Sequence, residues 1–169
     1  MLKRFAWLAL AAALLPQMAG AQDYPNRAIK LIVPFPAGGP ADTIARVYAQ
    51  RMQEILGHPV VIDNRGGAGG MTGVDAAAKS EPNGYTVVIS SPGALAINPA
   101  AETKMPYNVQ KDLKPVSLVV RVPEVLVVAP NVKATTIAEL LALSKTTQMN
   151  FASTGGGSMP HLAAELFKL

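Results

Sequence analysis

A five-residue apolar run, Ile29–Val33, passes directly into Pro34-Phe35-Pro36-Ala37-Gly38-Gly39-Pro40-Ala41-Asp42 and then into an amphipathic segment. That order reads as a buried strand, a glycine turn and a helix start. It constrains the fold strongly, because strands joined through helices pair in parallel, with right-handed crossovers. The turn also has a chemical consequence. N–H groups at a helix start lack helical partners, and the helix dipole adds partial positive charge there. A small anion such as a carboxylate or phosphate suits that spot. A second turn of the same kind, Ser153-Thr154-Gly155-Gly156-Gly157-Ser158-Met159-Pro160-His161, lies near the end of the chain.

The alternation continues between the two turns. Ile44, Val47, Tyr48, Met52, Ile55 and Leu56 fall on one helical face, which Gly57 ends with Pro59 just beyond. Residues 60–63 read as a second strand, 66–70 as a glycine loop, 74–79 as a short helix and 86–90 as a third strand. Residues 91–114 are irregular, with short helical pieces. The β-rich stretch 116–129 is broken at Pro123, and Thr135 or Thr136 caps a helix to about Lys145. A strand at 149–152 leads into the second glycine turn and a helix starting near Ser158. The pattern predicts an α/β fold of parallel sheets with ligands at the carboxyl ends of the strands, where both turns lie. The stretch 116–129 marks the division between a first domain, residues 22–121, and a second, residues 122–169. The last helix is still apolar at Leu162, Leu166, Phe167 and Leu169 and has no C-cap, so the second domain is expected to be incomplete.

The first residues read as an export signal. Lys3 and Arg4 precede an apolar run over 5–15, too short to span a bilayer comfortably, and Ala19-Gly20-Ala21 has the small-x-small cleavage pattern. A cleaved signal at 1–21 and a periplasmic destination are therefore expected. Without Lys3 and Arg4 the formal charge falls from +4 to +2, and no basic cluster interleaved with aromatics suggests nucleic acid. Cysteine is absent, which excludes disulfides and thiolate metal sites. Stability must come from the core, and the low charged fraction of 15% is consistent with a sizeable one.

The candidate ligand-binding residues are Ala37, Gly38, Gly39 and Asp42 from the first turn, and Ser153, Thr154, Gly155, Gly157, Ser158 and His161 from the second. Ser90 and Ser91, at the end of the third strand, add hydroxyls. Asp42 is expected to cap the helix or order the loop rather than touch an anion. Ser158 can serve as N-cap and cradle together, with Pro160 tolerated in the first turn. His161 either braces the loop or meets the ligand. His58 reads as a loop residue, Arg65 as one half of a surface ion pair and Asn98-Pro99 as a turn. The 66–70 loop is either an anion site or a structural turn beside the cleft, and it lacks the G-x-G-x-x-G spacing of a dinucleotide site. There is no G-x-S-x-G, H-E-x-x-H or Walker lysine, which favours a binding protein over a secreted hydrolase.

The ordered set Tyr24-Pro25-Asn26-Arg27, Pro34 to Gly39 with Asp42, Asn64-Arg65-Gly66-Gly67-Ala68-Gly69-Gly70, Pro82-Asn83-Gly84-Tyr85-Thr86, Asn98-Pro99, Met105-Pro106-Tyr107 and Ser153 to His161 resembles the receptors of tripartite tricarboxylate transporters, the Bug-type solute-binding proteins. The resemblance implies a periplasmic, monomeric receptor of the type II binding-protein fold, with two α/β domains closing on a small carboxylate. It implies no cofactor and no catalysis. The ligand would be a di- or tricarboxylate, an acidic amino acid or an aromatic acid, passed on to separate membrane transporter subunits. The two glycine turns would hold the carboxylate through backbone amides, small hydroxyls and water. Chains of that family are longer, and the alternative is a non-functional fragment of such a receptor.

Overall fold

The computed structural model describes residues 23–101 and 104–169. The expected signal at 1–21 lies outside the described residues. In chain order the elements are β1 (Ile29–Val33), α1 (Pro40–Leu56), β2 (Val60–Asn64), a 3-10 turn (Ala68–Gly70), α2 (Met71–Ala78), β3 (Thr86–Val88), a π-helical turn (Gly93–Ile97), α3 (Asn98–Ala101), α4 (Val109–Asp112), α5 (Ile137–Ser144) and α6 (Met159–Phe167).

β1 sits at the centre of a three-stranded parallel sheet of order β2-β1-β3. Leu31 lies opposite Ile62 on one side and Val87 on the other. A parallel centre is covered on both faces, so its strand reads as a continuous apolar run. Ile29, Leu31, Ile32 and Val33 are accordingly buried. Leu31 and Val33 pack with Ala45 and Ala49 of α1, joined by Val60, Ile62, Val87 and Ile89. A second cluster gathers Val74, Ala94 and Tyr107 with Met71, Val88 and Leu95. Tyr107 donates its hydroxyl to the carbonyl of Ala94 at 2.7 Å, tying the 105–113 segment to the π-helical turn.

α1 meets the sheet through its small residues. Asp42, Ala45 and Ala49 are its buried positions, whereas Val47, Tyr48 and Ile55 are exposed. The bulky face expected from the sequence is thus not the one packed on β1. Alanine lets the helix come close to the sheet, and the larger side chains lie on its flanks. Gly57 ends α1 in the left-handed region at φ +69°, with its N–H on the carbonyl of Gln53. At the opposite end of the strands Tyr85 donates to Asn26 Oδ1 and accepts the Asn26 N–H, and Arg27 lies 4.3 Å above its ring. The Tyr24–Arg27 and Asn83–Tyr85 motifs therefore fasten the start of β1 to the start of β3.

Two expected strands are not formed among the described residues. The stretches 116–129 and 149–152 carry no ladder pairing. Val116, Leu118, Val122, Val125 and Val127 stand exposed. β-Propensity measures fit to a neighbouring strand, and no described strand lies alongside to supply it. One anchor is visible: the Tyr48 hydroxyl donates to the carbonyl of Val119 at 2.6 Å.

Candidate functional site

The first glycine turn follows the carboxyl end of β1. Pro34 is fully buried beneath it, and Gly38 adopts φ +81°, where a side chain would be strained. Asp42 then folds back under the turn. Its side chain is 1% exposed, and its carboxylate accepts the N–H of Gly38 at 2.9 Å. Arg46, one helical turn on, donates through Nε at 2.8 Å and Nη2 at 3.2 Å. Asn64, at the end of β2, donates to Asp42 Oδ1 at 3.0 Å and to the carbonyl of Phe35 at 3.1 Å. The Arg46 hydrogen bond, then those of Gly38 and Asn64, hold the Asp42 carboxyl at about 2, against the opposing effect of burial. Asp42 thus orders the loop, as its position suggested, but it does not cap the helix.

Gly39 is the N-cap of α1, in extended conformation with no side chain to accept from the helix. Pro40 has no N–H, and Thr43 bonds to the carbonyl of Gly39. The N–H groups of Ala41 and Asp42 consequently find no acceptor among the described residues, nor does that of Ala37. Two of the candidate residues of this turn, Gly38 and Gly39, have amides that are already occupied. Gly38 donates to Asp42, and Gly39 to the carbonyl of Pro36 at 3.4 Å.

The second turn is more self-contained. Gly155 donates to Ser153 Oγ, Gly157 to His161 Nδ1 at 3.4 Å, and Ser158 to the carbonyl of Gly155. Ser158 is the N-cap of α6, its Oγ accepting from the His161 N–H and donating to the carbonyl of Gly155 at 2.6 Å. The amides of Gly155, Gly157 and Ser158 are therefore occupied, which corrects the reading of them as free donors. The N–H groups of Thr154, Gly156 and Met159 have no acceptor among the described residues. His161 braces the turn through Nδ1, so a neutral ring carries its proton on Nε2, which faces Glu165 at 3.9 Å.

The 66–70 loop joins the two turns. A Cβ on Gly66 would touch Pro36, and one on Gly70 would touch Phe35, Pro34 and Ala94. On its far side, a Cβ on Gly69 would come within 3.0 Å of the carbonyl oxygen of Gly156. The loop is a packing junction that seats the second turn against the sheet. Arg65 pairs with Asp63 at 2.9 Å on the surface, its default role. Ser91 packs beside Gly93, and Ser90 Oγ is buried without a partner among the described residues.

Sequence reasoning missed two residues that build the first turn, Arg46 and Asn64. The Asp42–Arg46 spacing of four was visible on a helix and could have flagged Arg46. Asn64 left no such signal, because its partners, Phe35 and Asp42, come from a distant part of the chain.

A parallel sheet with a glycine-capped, amide-presenting turn at the carboxyl end of its central strand is an α/β architecture of the kind that binds ligands at that end. Solved structures agree. An R. palustris protein with adipate is 36% identical with a TM-score of 0.82, covering 86% of this chain and 50% of that one. MatC from Rhodopseudomonas palustris, with bound malate, is 30% identical with a TM-score of 0.77, covering 86% and 52%. The periplasmic binding protein BugD is 29% identical with a TM-score of 0.72, covering 86% and 50%. The family model described as tripartite tricarboxylate transporter family receptor matches residues 44–169. Protein BugT of Bordetella pertussis is 45% identical over 163 residues, which is 95% of this chain and 50% of that protein. The chain belongs to the tripartite tricarboxylate transporter receptor family. It spans about half the length of the curated relatives it matches. No helix among the described residues is long and apolar enough to cross a membrane.

Proposed function

We propose that this chain carries the carboxylate-capturing turns of a periplasmic receptor that serves a tripartite tricarboxylate-type transporter. The observation that carries the reading is the glycine N-cap of α1. It leaves the N–H groups of Ala41 and Asp42 open at the carboxyl end of β1, where ligands of α/β sheets bind. Asp42 is already neutralised by Arg46, Gly38 and Asn64, so its charge does not oppose an incoming anion as a bare carboxylate would. On this reading the open amides of both turns hold the acid directly or through water. Because the fold fixes them, they need little reorganisation on binding. The relatives with adipate and malate favour a small dicarboxylate, and the relatives named periplasmic favour export through residues 1–21. The division at 121/122 would then separate the lobes that face each other across the ligand.

A second reading is a chain that folds around β1 but captures nothing. The exposed apolar side chains of 116–128 favour it. Gly39→Ser separates the two. A serine at this extended N-cap position would accept from Ala41 or Asp42 and compete with the ligand. A Cβ there lies 3.3 Å from the carbonyl oxygen of Pro36, so the melting temperature is read alongside, and calorimetry with malate and adipate is expected to show affinity lost in a chain that still melts cooperatively. Unchanged affinity would remove these amides from the site.

A further inference from the structure

Asn98 opens α3, directly after the π-helical turn that Tyr107 fixes to the second core cluster. It is 5% exposed, yet its Nδ2 has no acceptor among the described residues. Buried amide donors are rarely left so. The side chain lies where both glycine segments meet. Nδ2 would stand 3.4 Å from a Cβ on Gly69 and 3.2 Å from one on Gly157, and a Cβ on Gly157 would overlap Oδ1 outright. Glycine at both positions is what gives the amide its place. The second turn closes over it, with the carbonyl oxygen of Gly156 toward Gly69 and that of Gly157 toward Gly93.

Asn98 is not the only residue with a buried, unpartnered polar atom. Ser90 Oγ, beyond the carboxyl end of β3, is also buried and unpartnered. Asp75 Oδ1 is different in kind, since Lys79 Nζ lies 2.7 Å from it. Two neutral donors without acceptors thus flank the segment between β3 and α3, on the side of the sheet where the glycine turns lie.

We propose that Asn98 is a ligand-binding residue, its Nδ2–H donating to a carboxylate oxygen of the captured acid. The inference rests on the carboxylate-receptor reading and deepens it. The second turn covers Nδ2, so an oxygen reaches it only as that turn shifts. Occupancy of Asn98 and placement of the turn are therefore coupled. A neutral donor at this position selects for an acceptor oxygen over a cation.

The test uses malate and adipate as probes, with calorimetry on the unmodified chain and on Asn98→Asp. Aspartate keeps the shape but replaces the donor with a charged acceptor. Losing a hydrogen bond to a charged group is expected to weaken binding by about tenfold or more. In ¹⁵N spectra of the unmodified chain, the Asn98 side-chain NH₂ signals should move on titration with the probe. That measurement stands even if Asn98→Asp does not fold, with Asn98→Ser supplying the assignment. If the unmodified chain binds a probe while the NH₂ signals stay still and Asn98→Asp binds within twofold, the role of Asn98 is overturned and the receptor reading survives. If the unmodified chain binds neither probe, both fall.

Discussion

Asp42 shows how one buried carboxylate shapes a turn. It takes the N–H of Gly38, borrows charge from Arg46 and fixes Asn64, while the next amides, of Ala41 and Asp42, keep no acceptor among the described residues. Its carboxyl lies at about 2 against an ordinary 3.8. The unfolded chain therefore binds the proton more readily, and stability rises with pH between those values. The Asp42 contribution should be complete above about pH 4 and lost as pH falls toward about 2. Asp42→Asn is expected to lower the melting temperature at neutral pH and to flatten the acid limb of a pH-stability curve. An unchanged acid limb would mean that Asp42 is not the group titrating there. Gly73 makes a second residue-scale claim. A Cβ there would lie 2.6 Å from Pro34 Cβ and 2.9 Å from the carbonyl oxygen of Arg65. Gly73→Ala should cost about 1–3 kcal/mol by overpacking, read from denaturant unfolding.

At the scale of elements, the structure separates what local signals fix from what they leave open. Gly57 stops α1 and Thr136 starts α5, as their chemistry requires. Thr136 accepts from the Glu139 N–H at 3.2 Å while Glu139 reaches back to the Thr136 N–H, a complete capping box. The Glu139 carboxyl is held below the usual range, chiefly by the Thr135 N–H. Thr136→Ala should cost about 1 kcal/mol, measured by chemical denaturation. Facing was less legible than extent. Val47, Tyr48 and Ile55 form a helical stripe by spacing, yet Ala45 and Ala49 take the core. Periodicity finds an apolar stripe but does not say whether bulk or closeness decides the packing. The stretches 116–129 and 149–152 failed for a related reason, since a strand is a property of a pair.

For the whole molecule, the parallel order β2-β1-β3 and the first glycine turn at the carboxyl end of β1 followed from the alternation of strand and helix, whereas the strand expected ahead of the second turn is not formed. The destinations of individual amides did not. Whether Gly38 donates to a ligand or to Asp42, and Gly157 to a ligand or to His161, depends on side chains that fold back after the turn is made. The junction at 66–70 and the buried amide of Asn98 are tertiary, and no local spacing marks them. Burial of β1 is the common support for all of these parts. Ile32→Ala is therefore expected to cost about 2–5 kcal/mol and to weaken any binding with it, checked by denaturation and calorimetry in parallel.

The most direct measurement is the melting temperature of the chain against malate and adipate, with their dimethyl esters as controls. Binding to the folded state stabilises by mass action, about 2.7 kcal/mol at a hundredfold excess over Kd. A cooperative melt that rises with a diacid but not with its ester is the predicted result. A cooperative melt indifferent to every acid would contradict capture by these turns.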